Sequence, residues 1–269
     1  MKAVVVNALL IVTALLTVIP LLWMLSASFM PTGEATIYPP RLLPSSVTLE
    51  HYRELFTRLN IGRAFFSSTV IAVGTTVLSL LLNSMAGYAF AKLRFGGRDR
   101  LFAVLVAALV IPTQVAMLPL FLMLKSVRLV NSYWGVILPS IATIFGIFLI
   151  RQFMLSIPDE LLDAARIDGA NEWRIYWNIV LPLARPVLVT LAIFTFMSAW
   201  NDFMWPLIVL TDDAKYTLPV AVANLVGEHV QDTELMMASS VLTVLPVLIL
   251  FLALQRHYIA GIMMGSVKG

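Results

Sequence analysis

The sequence contains no cysteine and few charged residues, and both absences restrict what the protein can be. Without thiols, disulfides, thiolate metal sites and cysteine nucleophiles are excluded. The 3 histidines are scattered without a pair at ligand spacing, so we expect no metal site. Only 12% of the chain is charged and 60% is hydrophobic, whereas about a quarter of a typical soluble domain is charged. The composition therefore predicts an integral membrane protein.

Six apolar runs are long enough to cross a bilayer as helices, which takes about 20 residues. They lie at about 3–29, 64–91, 101–124, 134–154, 187–210 and 236–255. The runs are continuously apolar rather than alternating, which argues against membrane strands. The first run exceeds the apolar core of a signal peptide, about 7–15 residues, so we interpret it as a retained span. We predict an all-α membrane protein with a single domain, 1–269, and six transmembrane helices.

The third run contains two prolines and an amide, Pro112, Gln114 and Pro119. Such residues are tolerated within a membrane where neighbouring helices or water satisfy the freed backbone groups. The pattern fits a broken helix packed inward, and it fits a simple kink equally well. Both interpretations stay open at this stage.

The distribution of Lys and Arg predicts the orientation of the six spans, because these residues accumulate on the cytoplasmic side. An even number of spans places both termini on one side. The segments on that side contain 11 of the 18 Lys and Arg residues. We therefore expect both termini and the loops 92–100 and 155–186 in the cytoplasm. The segments 31–63 and 211–235 then face the outside.

A polar insert, DELLDAARIDGANEWRIYWNIVLPLARP, lies between the fourth and fifth runs. Asp159 begins it with an acid, which favours a helix N-terminus. Gly169 can end that helix, because glycine tolerates a left-handed backbone. A second amphipathic stretch starts at Asn171, a typical cap, and we expect Leu181-Pro182 to end it. The insert thus predicts a helix, a tight glycine turn and a second helix outside the membrane.

Three interpretations of this insert compete. A DNA-binding helix-turn-helix needs basic charge against phosphates, but residues 151–185 hold more acids than bases. A connector on the membrane surface would have aromatics and a basic polar face, yet the first helix is acidic. A docking helix for a cytoplasmic protein fits best, because Ala164 and Ala165 are small enough for close approach and charges flank them.

The segment DAARIDGANEWRIYWNIVLPLARP resembles the EAA loop, the signature of permease subunits of ATP-binding-cassette importers. Asp163-Ala164-Ala165 takes the place of Glu-Ala-Ala, and Asp168-Gly169-Ala170 matches Asp-Gly-Ala. Leu181 and Pro182 match the end of the loop, while Asp163 departs from the usual glutamate. The segments MAGYAFAKLRFGGRDRLF, SVTLEHYRELF and WNDFMWPLIVL resemble the carbohydrate-uptake branch. Within that branch they are similar to the smaller, maltose-type permease.

The resemblance implies a permease that forms half of a sugar pathway and pairs with a sister permease as a heterodimer. Two nucleotide-binding ATPase subunits would each receive one such loop, and a soluble extracytoplasmic binding protein would deliver the solute. The implied coupling residues are Asp163, Ala164, Ala165, Asp168, Gly169, Ala170, Leu181 and Pro182. The implied location is the bacterial or archaeal plasma membrane, with lipid but no nucleic acid as a further partner.

No Gly-x-x-x-x-Gly-Lys-[Ser/Thr] motif occurs in the sequence, and none of the five lysines follows a glycine. A phosphate-binding loop of that kind is therefore absent. We expect a non-enzymatic chain that binds no cofactor, with ATP and Mg used by a partner subunit.

Several polar or aromatic residues inside the runs are candidates for the solute path. They are Asn83, Gln114, Trp200, Asn201 and Asp202. An acid such as Asp202 within a membrane suggests function, and Trp200 or Trp205 could offer a sugar a flat face. Hydrogen-bonded packing between helices is the alternative, particularly for Asn83.

Other functions stay open on the sequence alone. An ion-gradient-driven secondary transporter should have charged residues in several spans and a repeat between its halves, whereas chiefly Asp202 lies within a run here. A permease for a non-carbohydrate solute and a structural scaffold are further alternatives.

Overall fold

The computed structural model describes residues 2–228 and 232–266, with side chains for 5–225 and 232–253. Every regular element in this described part is helical, in agreement with the all-α prediction. The physical reason is that a helix satisfies its own backbone hydrogen bonds, so a continuously apolar segment can fold without water.

The α-helices are numbered in chain order. They are α1 (Lys2–Ala27), α2 (Glu50–Thr57), α3 (Ile61–Lys92), α4 (Arg98–Ala107), α5 (Met117–Ser126), α6 (Tyr133–Ile137), α7 (Ile144–Met154), α8 (Asp159–Ile167), α9 (Glu172–Ile175), α10 (Leu181–Leu183), α11 (Arg185–Trp200), α12 (Met204–Val209), α13 (Leu218–Glu228) and α14 (Thr233–Ser266). A π-helical turn, Tyr176–Val180, joins α9 to α10. Short 3-10 turns occur at Glu34–Thr36, Ala108–Val110, Thr113–Ala116, Leu138–Ser140 and Asp213–Lys215.

Three helices are by themselves long and apolar enough to cross a membrane: Val5–Ala27, Ile61–Lys92 and Thr233–Ala253. Three further pairs of helices pass the same test only when the two helices of a pair are counted together. Each of these pairs is bent by more than 40° at a short break. Among the described residues, length and composition thus allow three spans, or up to six if each bent pair is one span. The number six stays a prediction.

The third predicted span, 101–124, is a broken element rather than a straight helix. Its two parts, Arg98–Val110 and Thr113–Ser126, meet at 97°. The break falls at Pro112, as one interpretation of the sequence expected. Pro119 breaks nothing, because it lies in the first turn of α5, where its missing N–H would have no partner within the helix in any case.

The fourth and fifth predicted runs are each interrupted as well. Between α6 and α7 the chain passes through the turn Leu138–Ser140 and bends by 42°. In the fifth run α11 ends at Trp200, and α12 begins only at Met204. At that end the Asn201 side chain donates to the Met197 carbonyl at 2.8 Å and satisfies an acceptor of the last turn.

The described residues divide into two units. The first contains the chain up to Phe65 together with 217–248, and the second contains 66–216 with the chain from 249 onward. In the first unit, His51 is buried and its Nε2 lies 2.9 Å from the Met30 carbonyl. The Glu234 carboxylate accepts a hydrogen bond from the Ala35 N–H at 2.7 Å. The second contact joins the segment around Ala35 to the start of α14.

The second unit has two groups of buried apolar side chains. The larger one joins α3, α7, α8, α9 and α11 and contains Ile150, Met154, Leu162, Ile175 and Leu191, all at most 1% exposed. The other joins α3, α5, α6 and α12 around Ile71, Leu124, Val136, Trp205 and Val209. Helix α3 contributes to both groups, so it is the common wall of this unit.

Helix α3 approaches α7 closely at Gly87. A Cβ atom at this position would lie 2.5 Å from Ile150 Cγ2 and 2.8 Å from Ile150 Cβ. Neither atom is the end of a flexible side chain, so the helix axes would have to separate. Glycine is therefore required here for packing, even though it lowers helix propensity.

We expect Gly87→Ala to lower the thermal stability of the detergent-solubilised protein. Overpacking costs about 1–3 kcal/mol, more than the roughly 1 kcal/mol that alanine gains over glycine in a helix. Gly62→Ala is the matched control, because Gly62 lies on the same helix and its added Cβ would meet Phe56 at an ordinary 3.7 Å. The melting temperatures of both variants are measured by heating samples and quantifying the remaining folded protein by size-exclusion chromatography. Equal melting temperatures for the two variants would contradict the close packing.

Candidate functional site

The polar insert forms a helix, a left-handed turn and a second helix, as the sequence indicated. Helix α8 ends at Ile167, and Gly169 has a φ of 83°. The Gly169 N–H donates to the Arg166 carbonyl and the Ala170 N–H donates to the Ala165 carbonyl, both at 3.0 Å. This is the hydrogen-bond pair of a Schellman motif, which only glycine completes without steric cost.

The two faces of α8 differ in exposure. Leu162 is 1% exposed, and Ala165 and Ala170 pack against the same buried group. Asp163 and Ala164 point outward and are exposed, as are Asp168 and Gly169 in the turn. Acidic and small side chains thus contribute to an exposed surface together with Ile167, while Leu162 and Ala165 attach the helix to the unit.

Arg166 connects the two helices of the insert. Its guanidinium donates to Glu172 Oε1 at 2.8 Å and to Asp163 Oδ1 at 2.7 Å. The hydrogen bond to Glu172, followed by that to Asp163, raises the pKa of Arg166 above its ordinary value. Since Asp163 lies on α8 and Glu172 begins α9, this side chain helps to hold the angle between them.

The first turn of α8 is held by Lys92 at the end of α3. The Lys92 ammonium donates to Asp159 Oδ1 and to the Ile157 carbonyl, both at 2.6 Å. The hydrogen bond from Lys92 to the Asp159 carboxylate, followed by the charge of Lys92, lowers the pKa of Asp159. The Lys92 side chain is only 5% exposed, whereas that of Asp159 is 74% exposed. The loop therefore has a fixed starting point beside α3.

The second helix begins as predicted and ends later than predicted. The Asn171 side chain accepts from the Arg174 N–H at 2.9 Å, which is the expected cap. Leu181-Pro182 does not end the helix, which continues through the π-helical turn and α10. Pro182 stands in the first turn of α10, where a missing N–H is tolerated. The break falls at Ala184, and the bend there is 78°.

A cleft of about 840 Å³ is the second candidate site, and all of its lining residues belong to the second unit. It lies beside the breaks near Pro112 and Ser140 and beside the C-terminal end of α11. Its polar lining residues are Thr75, Thr113, Gln114, Ser140, Thr143, Thr195, Ser198 and Asp202. Aromatic rings are supplied by Phe145, Phe194 and Trp205. Hydroxyl, amide and carboxylate groups beside aromatic faces suit a ligand with many hydroxyl groups.

Two of the five path candidates line this cleft, Gln114 and Asp202. Gln114 lies in the 3-10 turn after Pro112 and is exposed. The half-buried Asp202 carboxylate accepts from the Trp205 N–H at 3.3 Å. Asp202 is the ionisable residue among those that line the cleft.

The other three candidates do not line it. Asn83 is fully buried, and its amide oxygen accepts from the Thr143 N–H at 3.1 Å. Trp200 is 1% exposed and stacks on Phe196 with 5.8 Å between ring centroids. Asn201 is exposed and contacts its own helix end. For Asn83 the structure favours the packing interpretation.

Of the aromatic rings at the cleft, Trp205 was expected from the sequence, whereas Phe145, Phe194 and the hydroxyl groups were not. A signal for some of them exists: Thr113 follows Pro112, and Ser140 follows Pro139, so hydroxyls stand directly after helix-breaking prolines. Nothing in the sequence marks Phe145 or Phe194 apart from other phenylalanines. Among the described residues no group of three or more His, Asp or Glu side chains could hold a metal ion.

Similar proteins include several transport permeases. The chain is 41% identical to an arabinooligosaccharide transport system permease, AraQ, from Halalkalibacterium halodurans. That match covers 95% of this chain and 93% of AraQ. It is 35% identical to the diacetylchitobiose uptake permease NgcG of Streptomyces coelicolor, covering 97% of this chain and 88% of that one. The fold matches a chain from the crystal structure of a bacterial ABC transporter involved in alginate import. That match has a TM-score of 0.85, 25% identity and 96% coverage of both chains.

The family model agrees with these relatives. It matches residues 79–263, a range that contains the whole polar insert and most of the residues that line the cleft. Since more than half of the chain is matched, the protein belongs to the family of binding-protein-dependent transport system inner membrane components.

Proposed function

We propose that this chain is one of two permease subunits of an ATP-driven importer for a sugar or oligosaccharide. The observation on which the proposal mainly rests is the exposed, rigidly held α8 in a member of this transport family. The solute class is supported by relatives named for arabinooligosaccharides, diacetylchitobiose and lactose. An ion-driven secondary transporter is set aside, because transport in this family depends on a binding protein.

The insert 156–186 docks the ATPase in this proposal. Asp163, Ala164, Asp168 and Gly169 form the contact surface, since they are exposed and small or acidic. Ala165, Ala170 and Leu181 act indirectly, because they pack against the core and position that surface. Pro182 is exposed beyond the π-helical turn and lies at the edge of the docking region.

The partners follow from the same proposal. A sister permease completes the pathway, two nucleotide-binding subunits supply ATP and Mg chemistry, and an extracytoplasmic binding protein delivers the solute. A related alginate transporter structure is described as a complex with a substrate-bound periplasmic protein, which supports that last partner. The bent pairs Arg98–Val110 with Thr113–Ser126 and Tyr133–Ser140 with Ile144–Met154 each count as one span, and 187–210 supplies the fifth, which gives six spans and cytoplasmic termini.

The cleft forms this subunit's part of the solute path. Its wall combines hydroxyl groups with aromatic rings, and Asp202 and Gln114 add an acceptor and an amide. A sugar has apolar faces, which can pack on the aromatic rings, and a rim of hydroxyl groups, which can bond to the polar side chains. Solute contact at the cleft and ATPase docking at the insert involve different residues, so each can be tested by its own variants.

Topology is tested with single cysteines, since the chain contains none. Ile167 and Tyr38 are 86% and 93% exposed, so a cysteine at either position is accessible to reagents on its own side. We expect an impermeant thiol reagent to label Tyr38→Cys in intact cells and Ile167→Cys only after permeabilisation. Labelling of Ile167→Cys from outside would contradict the orientation.

Docking is tested by Gly169→Val and Ala164→Asp. Valine at a left-handed φ costs on the order of 1–2 kcal/mol, which tilts α8 away from its partner, and aspartate places a charge in the contact. We expect uptake in proteoliposomes to fall about tenfold, the change equivalent to that free energy, with weakened ATP hydrolysis and normal membrane abundance.

Gly97→Val is the matched control for strain. Gly97 has a φ of 79°, and a Cβ added there would meet no atom within 4 Å, as at Gly169, but Gly97 lies in the turn before α4. Uptake by this control should stay near the wild-type rate. If Gly169→Val and Ala164→Asp also transport normally, the insert is only a connector.

The role of Asp202 is tested by Asp202→Asn. The asparagine oxygen can still accept from the Trp205 N–H, so the variant removes the charge and keeps the turn. We expect uptake to change several-fold without loss of assembly. Asp212→Asn is the control, because Asp212 accepts in the same way from the Ala214 N–H outside the cleft. Unchanged uptake by Asp202→Asn, or lost assembly, would favour packing.

A further inference from the structure

Helix α3 has a row of three polar side chains on its face toward the insert: Ser84, Tyr88 and Lys92. They are spaced four residues apart, so they lie one above the other on a single face. Ser84 is 1% exposed, Tyr88 is 4% exposed, and the Lys92 side chain is 5% exposed. Three buried polar groups in succession on one helix face need partners, because each would be costly if unpaired.

Each member of this α3 row forms a hydrogen bond with a different part of the insert. The pairs are Ser84 Oγ with Tyr176 OH at 2.7 Å, Tyr88 OH with Glu172 Oε2 at 2.5 Å, and Lys92 Nζ with Asp159 Oδ1 at 2.6 Å. The partners belong to the π-helical turn, the start of α9 and the start of α8. The insert is therefore held along its length to one face of one helix.

The same helix also reaches the cleft. Ile71 and Thr75 of α3 line it, and α3 is continuous over 32 residues. The chain connections are less direct: the insert leads into α11 only through the 78° bend at Ala184. A bend can absorb movement, whereas a helix without a break transmits it along its axis. Helix α7 also runs without a break from the insert to Phe145 at the cleft. Helix α3 is the one that the row of three buried polar side chains joins to the insert.

We propose that the α3 row transmits movement of the docked insert to α3 and so to the cleft wall. The inference rests on the proposed function, since it assumes that the insert receives force from an ATPase. Ser84, Tyr88 and Lys92 act as positioning residues that touch neither solute nor nucleotide. When the insert moves, α3 moves with it as long as the row stays intact.

The test separates transmission from stability by removing single hydroxyl groups. Tyr88→Phe keeps the ring, whose centroid lies 5.8 Å from that of Tyr176, and removes only the bond to Glu172. Ser84→Ala removes the bond to Tyr176 in the same way. Solute uptake and ATP hydrolysis are measured together in proteoliposomes that contain the full complex with its binding protein. We expect uptake per ATP hydrolysed to fall roughly fivefold, the loss expected for one hydrogen bond.

The chain supplies a matched control on the same helix. Ser67 Oγ and Tyr133 OH are 2.7 Å apart, so Tyr133→Phe and Ser67→Ala remove a bond of the same kind between α3 and α6, away from the insert. These controls should keep the wild-type ratio of uptake to hydrolysis. Membrane abundance and basal ATP hydrolysis should be the same in all four variants.

Each result has a distinct meaning. If the wild-type complex shows no ATP-dependent uptake, the proposed function fails, and this inference fails with it. If the wild type transports and Tyr88→Phe and Ser84→Ala keep its ratio, only the transmission role is overturned. A lower ratio in the Ser67 and Tyr133 variants as well would also overturn it, because the effect would then be general loosening of α3.

Discussion

The structure of the second unit depends on one constraint: every backbone group at a helix break needs a partner, because lipid provides none. At the break before α7, the Thr143 N–H is satisfied by the Asn83 amide oxygen at 3.1 Å. The Asn83 amide nitrogen in turn donates to Ser79 at 2.6 Å. The Gly146 N–H is capped by the Thr143 hydroxyl at 3.1 Å. One buried amide of α3 thus supports the break between α6 and α7, where Ser140 and Thr143 line the cleft.

Helix α3 therefore has three duties that constrain each other. It must approach α7 closely at Gly87, present Asn83 to the break, and present the α3 row to the insert. A rotation of α3 about its axis would disturb all three sets of contacts, since they lie within three turns of one another. This mutual dependence explains how a helix of apolar composition keeps a single orientation: its few polar side chains have partners in only one.

The parts of this structure that the sequence predicted rest on local rules. Gly169 was predicted because a positive φ at a helix end selects glycine, and Asn171 because a free N–H selects a side-chain acceptor. The helix breaks were harder, since hydropathy measures composition and not continuity. Pro112 and Pro119 are alike in the sequence, and only their distance from a helix start separates a break from a tolerated proline. Pro182 was expected to end a helix, but it stands in the first turn of α10, where proline is tolerated.

The candidate path residues show why the direction in which a side chain faces could not be predicted from the sequence. A span that contacts lipid on one side and protein on the other is apolar all round, so periodicity does not reveal its buried face. Asn83 and Asp202 then look equivalent, but their hydrogen bonds distinguish them. Both ends of the Asn83 amide are used within the fold. The Asp202 carboxylate accepts from the Trp205 N–H and, with about four acceptor positions in total, retains capacity for a hydroxyl group in the cleft. Spare acceptor capacity at a cleft, rather than polarity within a span, is therefore what separates a residue that can bind solute from one that holds helices together.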